Sequence, residues 1–397
     1  MPAFPEPLAA LARTLFPGSE LVSVERLRPD EGRERAQGQP GEAAPERAGG
    51  TGGREPGGRV SPRPVAEKAI GYGDPIKVTV REPGGATRAF VFRTEVPNEF
   101  GHDRRSDRMD EALVAWDLFN RTPRHVRALD VGAVGADGRL VSLRGTGEPY
   151  LVTEWIEGSL YADDLRRIAR DAEAGPLDHA RTAALADYLV ALHAERVDDP
   201  AAWRRAVRDL LGHGEGIFGM VDGYPEDTPA APPGRLRAIE ERCLAWRWRL
   251  RGRAGRLART HGDFHPFNVL FRPGGDGTAL ALLDASRGGR GDPADDLTAL
   301  SVNYVLFAAE HRRAWGRALR GLWRGFWERW LAGARDPEAL ETAPPFLAWR
   351  ALVVASPRFY PGLSPEARDL LLSLAERALD AGRLDLDLPD RLLGEGA

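Results

Sequence analysis

One cysteine, Cys243, stands in 397 residues, so no internal disulfide can form and a disulfide-stapled scaffold is excluded. Lysine is nearly as scarce, with Lys68 and Lys77 the only two, and the remaining basic charge is arginine. No basic block stands out and the net charge is -4. That leaves no electrostatic footprint for a polyanion, and nucleic acid is not expected as a partner. No apolar run approaches the ~20 residues of a membrane helix, and the N-terminus has no charged segment leading into a secretory apolar run. A membrane is not expected either, and the reducing cytoplasm is the expected compartment. The oligomeric state cannot be read from these features.

What is present suffices for a large globular protein. The chain is 42% apolar, and its length accommodates two lobes, each with its own core. The most informative stretch is 261–297, beginning His261-Gly262-Asp263-Phe264-His265-Pro266-Phe267-Asn268. Residues 269–272 and 279–283 read as two strands around a turn written in Gly and Asp. That hairpin returns Asp284 beside Asn268. An aspartate, an amide five residues on and a second aspartate brought back by a hairpin meet the needs of phosphoryl transfer. One group orients an attacking hydroxyl, and two oxygen ligands hold magnesium on nucleotide phosphates. Read without that chemistry, the stretch is a polar loop followed by an amphipathic hairpin.

In order and spacing, the stretch resembles the aminoglycoside phosphotransferase and choline kinase family, whose catalytic loop runs H-G-D-x-H-x-x-N and whose metal aspartate precedes G-D-P-x-x-D-L. The resemblance implies an α+β, two-lobed protein-kinase-like fold. A small antiparallel-sheet N-lobe would span 1–153 and bind nucleotide, and a larger, mainly helical C-lobe would span 154–397. It further implies Asp263 as catalytic base, Asn268 and Asp284 as Mg²⁺ ligands and Asp296 as a brace of the loop, with His261, His265 and Asp292 in support. ATP or GTP would be the phosphoryl donor and a small hydroxylated molecule the acceptor.

Spacing predicts a helix over 6–16 and a strand over 21–27. Residues 28–64 hold almost no large apolar side chain, so they are expected to form a disordered insertion. A strand, glycine turn and strand follow over 68–80. In a kinase-like lobe Gly71 and Gly73 would let backbone amides approach the phosphates. Arg93 falls where kinases carry a strand lysine, a departure from the protein-kinase pattern because a guanidinium is not an ammonium. Glu111, on a helix spaced over 107–119, is its expected partner, with Asp110 or a solvated Glu111 as alternatives. Two short strands are read over 126–134 and 140–143. An apolar strand in 150–158, ending in Glu154-x-x-x-Gly158, resembles the family's hinge near 153–158, where backbone groups at Glu154 and Ile156 would meet the base. His193 reads as a satisfied core or capping histidine, not a ligand, and the tryptophans beyond residue 300 as a core stripe. Glu215 and Asp222 are acceptor-side candidates, a loop between helices being the alternative. A protein kinase is disfavoured, since six residues separate Asp284 from Gly291-Asp292-Pro293, too few for an activation loop. A catalytically silent nucleotide-binding module is the other alternative.

Overall fold

The computed structural model describes residues 5–26, 73–285, 287 and 289–394. The expected insertion at 28–64, the first strand of the glycine turn and Gly71 lie outside them. The chain divides into two units, Met1–Leu151 and Val152–Ala397.

In the first unit, α1 (Pro5–Leu15) lays Leu8 and Ala12 against a sheet of β1 (Glu20–Arg26), β2 (Gly73–Arg81) and β3 (Thr87–Glu95). The order is β1-β2-β3, antiparallel throughout, with Val78 opposite Phe90. Period-two alternation turns Val78 and Val80 inward, where they meet Phe90 and α1 in a small core. Gly73 opens β2 opposite Glu95. In α2 (Arg105–Phe119), Asp107 accepts a hydrogen bond from the Arg104 amide at 2.8 Å, one half of a capping box. Its expected apolar face, Met109, Leu113 and Trp116, is only half-buried. β4 (Gly132–Val134) pairs with β5 (Leu140–Ser142), so only the end of the strand expected over 126–134 forms.

One expectation is corrected at the end of the first unit and the start of the second. Residues 150–156, expected as part of a strand, join no ladder, and Tyr150, Val152 and Trp155 are exposed. Pairing starts only at β6 (Ser159–Leu160), where β8 offers an edge. Then come α3 (Tyr161–Asp171), α4 (Pro176–His193), α5 (Pro200–Gly212), α6 (Ile217–Asp222) and α7 (Pro233–Arg251). The short strands β7 (Ala258–Arg259), β8 (Val269–Phe271), β9 (Leu280–Leu282) and β10 (Arg290–Gly291) precede α8 (Pro293–Glu310). After α9 (Arg312–Ala314) a π-helical turn at Trp315–Leu319 leads into α10 (Arg320–Ala334). The chain ends with α11 (Ala339–Ala355), α12 (Pro365–Asp380) and α13 (Leu388–Gly394).

Helix α8 is buried on nearly all sides and packs against α11 and α12, so it runs through the core rather than over it. Trp323, Phe326, Trp327 and Trp330 of α10 are fully buried, which makes the tryptophan stripe core. Among the described residues no helix is long and apolar enough to cross a membrane.

Two small sheets matter for function. The pair β7–β10 and the sheet β6-β8-β9 grip the two ends of the loop 260–268. Because β10 runs straight into α8, the first turn of that helix lies against the same loop.

Candidate active site

The loop is held by a buried carboxylate. The Asp296 side chain, on the first turn of α8, accepts from the His261 amide at 2.7 Å and the Gly262 amide at 2.8 Å. His193 Nε2 lies 3.1 Å from Asp296 Oδ2, while Trp330 Nε1 donates to His193 Nδ1 at 3.1 Å. Since the indole can only donate, His193 Nδ1 is the acceptor, and Nε2 carries the proton given to Asp296. His193 is thus a satisfied core residue that fills the third bond of Asp296. Gly262 turns at φ +85°, a conformation that strongly favours glycine.

Beyond the turn, the loop is tied to itself. Phe264 is buried and stacks on Tyr188 with ring centroids 5.8 Å apart. His265 Nδ1 accepts from the Phe267 amide at 3.2 Å, so its Nε2 bears the proton and points it toward Asp263 Oδ2, 3.5 Å away. Asn268 Nδ2 donates to the Asp263 carbonyl at 3.0 Å, and the Leu283 amide donates to the Asn268 carbonyl at 2.9 Å. With Val269 opposite Leu282, the hairpin returns Asp284 next to Asn268. Asp284 is exposed and adopts φ +44°, a left-handed backbone that aspartate tolerates better than most residues.

Asp263 is buried and faces two guanidinium groups and the His265 imidazole N–H. Arg350 Nη1 donates to its Oδ1 at 2.7 Å, and Arg287 Nε lies 3.6 Å from its Oδ2, on the same side as His265. Burial alone raises the carboxyl's pKa. The His265 hydrogen bond and the Arg350 and Arg287 charges outweigh it and hold Asp263 far below the usual carboxylate range. Asp295 behaves oppositely. Although Arg350 Nη2 donates to it at 2.6 Å, burial and the neighbouring Asp296 and Asp263 charges push it up to about 6.

Asp292 caps α8, accepting from the Ala294 amide at 2.9 Å, and takes both arms of Arg256 at 2.7 and 2.9 Å. The Arg256–Asp292 pair anchors the end of the motif. For a metal, the donor set fits magnesium. Asn268 spends its amide N–H on Asp263, which leaves the hard oxygen Oδ1, and Asp284 supplies a carboxylate beside it. Among the described residues no three His, Cys, Asp or Glu side chains cluster as a closed metal cage. Mg²⁺ binds readily through one or two protein oxygens plus phosphate, so two such donors are enough.

Other expected residues fall differently. Arg93 and Glu111 do not pair: Arg93 Nε meets Glu95 at 3.5 Å, and Glu111 Oε2 lies 2.7 Å from His102 Nδ1. Residues two apart on a strand share a face, so Glu95 reaches Arg93 without a tertiary constraint. Glu154 is exposed and Ile156 half-buried in the unladdered segment. Glu215 does reach the site, its Oε2 3.6 Å from Arg287 Nε. Asp222 instead faces Glu240 of α7, where its charge adds to burial in raising that carboxyl's pKa.

The model of the phosphotransferase enzyme family matches residues 102–351. The chain belongs to this family. No curated protein matches the sequence significantly. Among solved structures, a glucosamine kinase in complex with glucosamine, ADP and inorganic phosphate is 21% identical with a TM-score of 0.36, over 60% of this chain and 62% of that one. The chain therefore spans less than two thirds of that relative. An aminoglycoside phosphotransferase, APH(3'')-Id from Streptomyces rimosus, is 21% identical with a TM-score of 0.31, covering 70% of this chain and 89% of its own. A Plasmodium vivax ethanolamine kinase is 10% identical with a TM-score of 0.31, covering 81% and 79%. Small antiparallel sheets and a mainly helical body make up the architecture of this phosphotransferase-family chain.

Several site residues of this phosphotransferase-family protein escaped the sequence reading. Arg350 and Trp349 come from α11, far along the chain, and carry no local signal. Trp349 Nε1 donates to the Glu215 carbonyl at 2.8 Å, and its ring lies under the Arg350 guanidinium at 3.9 Å. Tyr360 lies close enough that the Asp263 charge, after burial, raises its hydroxyl's pKa. Arg287 was legible in principle, since it sits three residues past Asp284 within the motif.

Proposed function

We propose that the protein transfers the terminal phosphoryl group of a nucleoside triphosphate, ATP or GTP, to a hydroxyl of a small molecule. The observation that carries this reading is the single hydrogen-bonded turn in which Asn268 ties down the Asp263 carbonyl and the hairpin ties down Asn268. An acceptor-orienting carboxylate and two hard oxygen donors thereby share one rigid support. Asp263 accepts a hydrogen bond from the acceptor hydroxyl and aims its oxygen at the γ-phosphorus. As the new P–O bond forms, the bond to the β–γ bridging oxygen breaks and the nucleoside diphosphate leaves. Asp263 is so firmly ionised that its part is orientation first, and its carboxylate takes the hydroxyl proton late, as a loose transition state allows. Asn268 and Asp284 would hold Mg²⁺, which when bound neutralises charge on the phosphates. His265 and Arg287 lie where they keep Asp263 charged.

Glu215 is the acceptor-side residue favoured here, because it approaches the same Arg287 nitrogen as Asp263. In the first unit, Gly73 and Arg93 are assigned to the phosphates, and in the second the backbone at Glu154 and Ile156 to the base. The test is release of nucleoside diphosphate above the no-acceptor rate across hydroxylated metabolites and aminoglycosides. It runs on wild type, Asp263→Asn and Asp284→Asn, with MgATP affinity measured by calorimetry. Asp263→Asn should bind MgATP as wild type does and lose about 10²- to 10⁴-fold in turnover. Asp284→Asn should lose affinity and turnover together. Wild type that binds MgATP but turns over no acceptor would mark a silent binding module.

A further inference from the structure

We propose that Arg350 of α11 is a positioning residue for the transfer, clamping the turn of Gly262 and Asp263 so that one carboxylate oxygen is held and the other is presented to the acceptor. The proposal rests on Asp263 as the acceptor-orienting group.

The geometry is that of a bridge between backbone and side chain. Arg350 Nη2 donates to the Gly262 carbonyl at 2.9 Å, and Nη1 donates to Asp263 Oδ1 at 2.7 Å. The two oxygens belong to adjacent residues, so one planar fork fixes both the peptide orientation and the side-chain rotamer of Asp263. Nη2 also donates to Asp295 Oδ1 at 2.6 Å, which holds the guanidinium from the first turn of α8. The Trp349 ring closes the remaining face at 3.9 Å. Oδ1 being occupied, Oδ2 is the oxygen left for an acceptor hydroxyl, and it is the one His265 and Arg287 face.

A purely structural arginine would not be built this way. Asp295 alone would balance the buried charge, and a buried polar group normally has every donor satisfied. Here Arg350 Nε is buried and has no hydrogen-bond partner. The guanidinium is placed to reach three oxygens at a loop, at the expense of its own solvation. A lysine ammonium in the same place is a point charge and cannot span the carbonyl and the carboxylate as a fork does.

The experiment has two readouts. Unfolding midpoints of wild type, Arg350→Met, Asp263→Asn and the double variant need no acceptor. If the clamp exists, the double variant's shift falls well short of the two single shifts combined. Turnover is then measured beside MgATP affinity. Arg350→Met should bind MgATP within about twofold of wild type and lose about 100-fold in turnover, the scale of a 1 Å misplacement at a reacting centre. Arg350→Lys should recover part of that loss, and guanidinium ion should raise the turnover of Arg350→Ala several-fold. Additive midpoint shifts would overturn the clamp whatever the activity. Wild-type turnover in Arg350→Met would overturn the positioning role, as would joint loss of turnover and MgATP affinity without rescue. Coupled shifts in a protein that phosphorylates no acceptor would refute the phosphotransferase reading instead, leaving the clamp as a structural contact without a catalytic part.

Discussion

Asp296 is the residue on which the loop's conformation depends most, and replacing it with asparagine isolates its contribution. The carboxylate is fully buried and accepts from two backbone amides, one per oxygen, and from His193. An asparagine in the same rotamer keeps one oxygen. Its better orientation leaves that oxygen to the His261 amide and His193, and sets the new NH₂ against the Gly262 N–H. Two donors then face each other without an acceptor. Leaving a buried donor unsatisfied costs about 1–3 kcal/mol, so Asp296→Asn should cost about 2–6 kcal/mol. At about 2–4 °C per kcal/mol for a unit of this size, the midpoint should fall by roughly 10 °C. Differential scanning calorimetry with urea unfolding reads the stability, and turnover should drop in parallel because the Asp263 turn loses its support. A variant that melts within about 1 °C of wild type, well below any cost on that scale, would show that Asp296 does not brace the loop.

Further outcomes follow from individual contacts. Asp295 is pushed up to about 6 in the folded state, above the ~3.9 of an unfolded chain, so its contribution to stability is present at low pH and is lost as pH rises from about 4 to 6. The melting-temperature change of Asp295→Asn relative to wild type should therefore be more favourable at pH 7.5 than at pH 4.5; an equal change at both would refute the raised pKa. Arg256→Met strands the Asp292 carboxylate beneath α8 and should cost about 3–5 kcal/mol in urea unfolding, and a loss under about 1 kcal/mol would place the pair outside the fold's support. In the first unit, Arg93→Ala and Glu95→Ala should show a small coupling in a stability cycle, whereas Arg93→Ala and Glu111→Ala should be additive; the reverse pattern would restore the strand–helix pair.

Local chemistry was legible in the sequence because its parts lie close along the chain. Asp263, Asn268 and Asp284 span one loop and one hairpin, and turn residues with period-two alternation set the register that returns Asp284 to Asn268. His193 was readable as a satisfied core or capping residue, and the late tryptophans as core from their helical spacing. Strand pairing was harder wherever the partner is remote. Residues 150–156 have strand composition but no ladder, because composition favours an extended backbone without supplying an edge to bond. The Arg93 partner was misread because a helix carboxylate at the right distance along the chain competes with a nearer one on the same strand. Arg350, Trp349 and Tyr360 had no sequence signature at all. Arg350 reaches Asp263 because α11 packs against α8, a choice made by core packing over more than eighty residues of separation, and it is this tertiary contact that places a guanidinium on the Asp263 carboxylate.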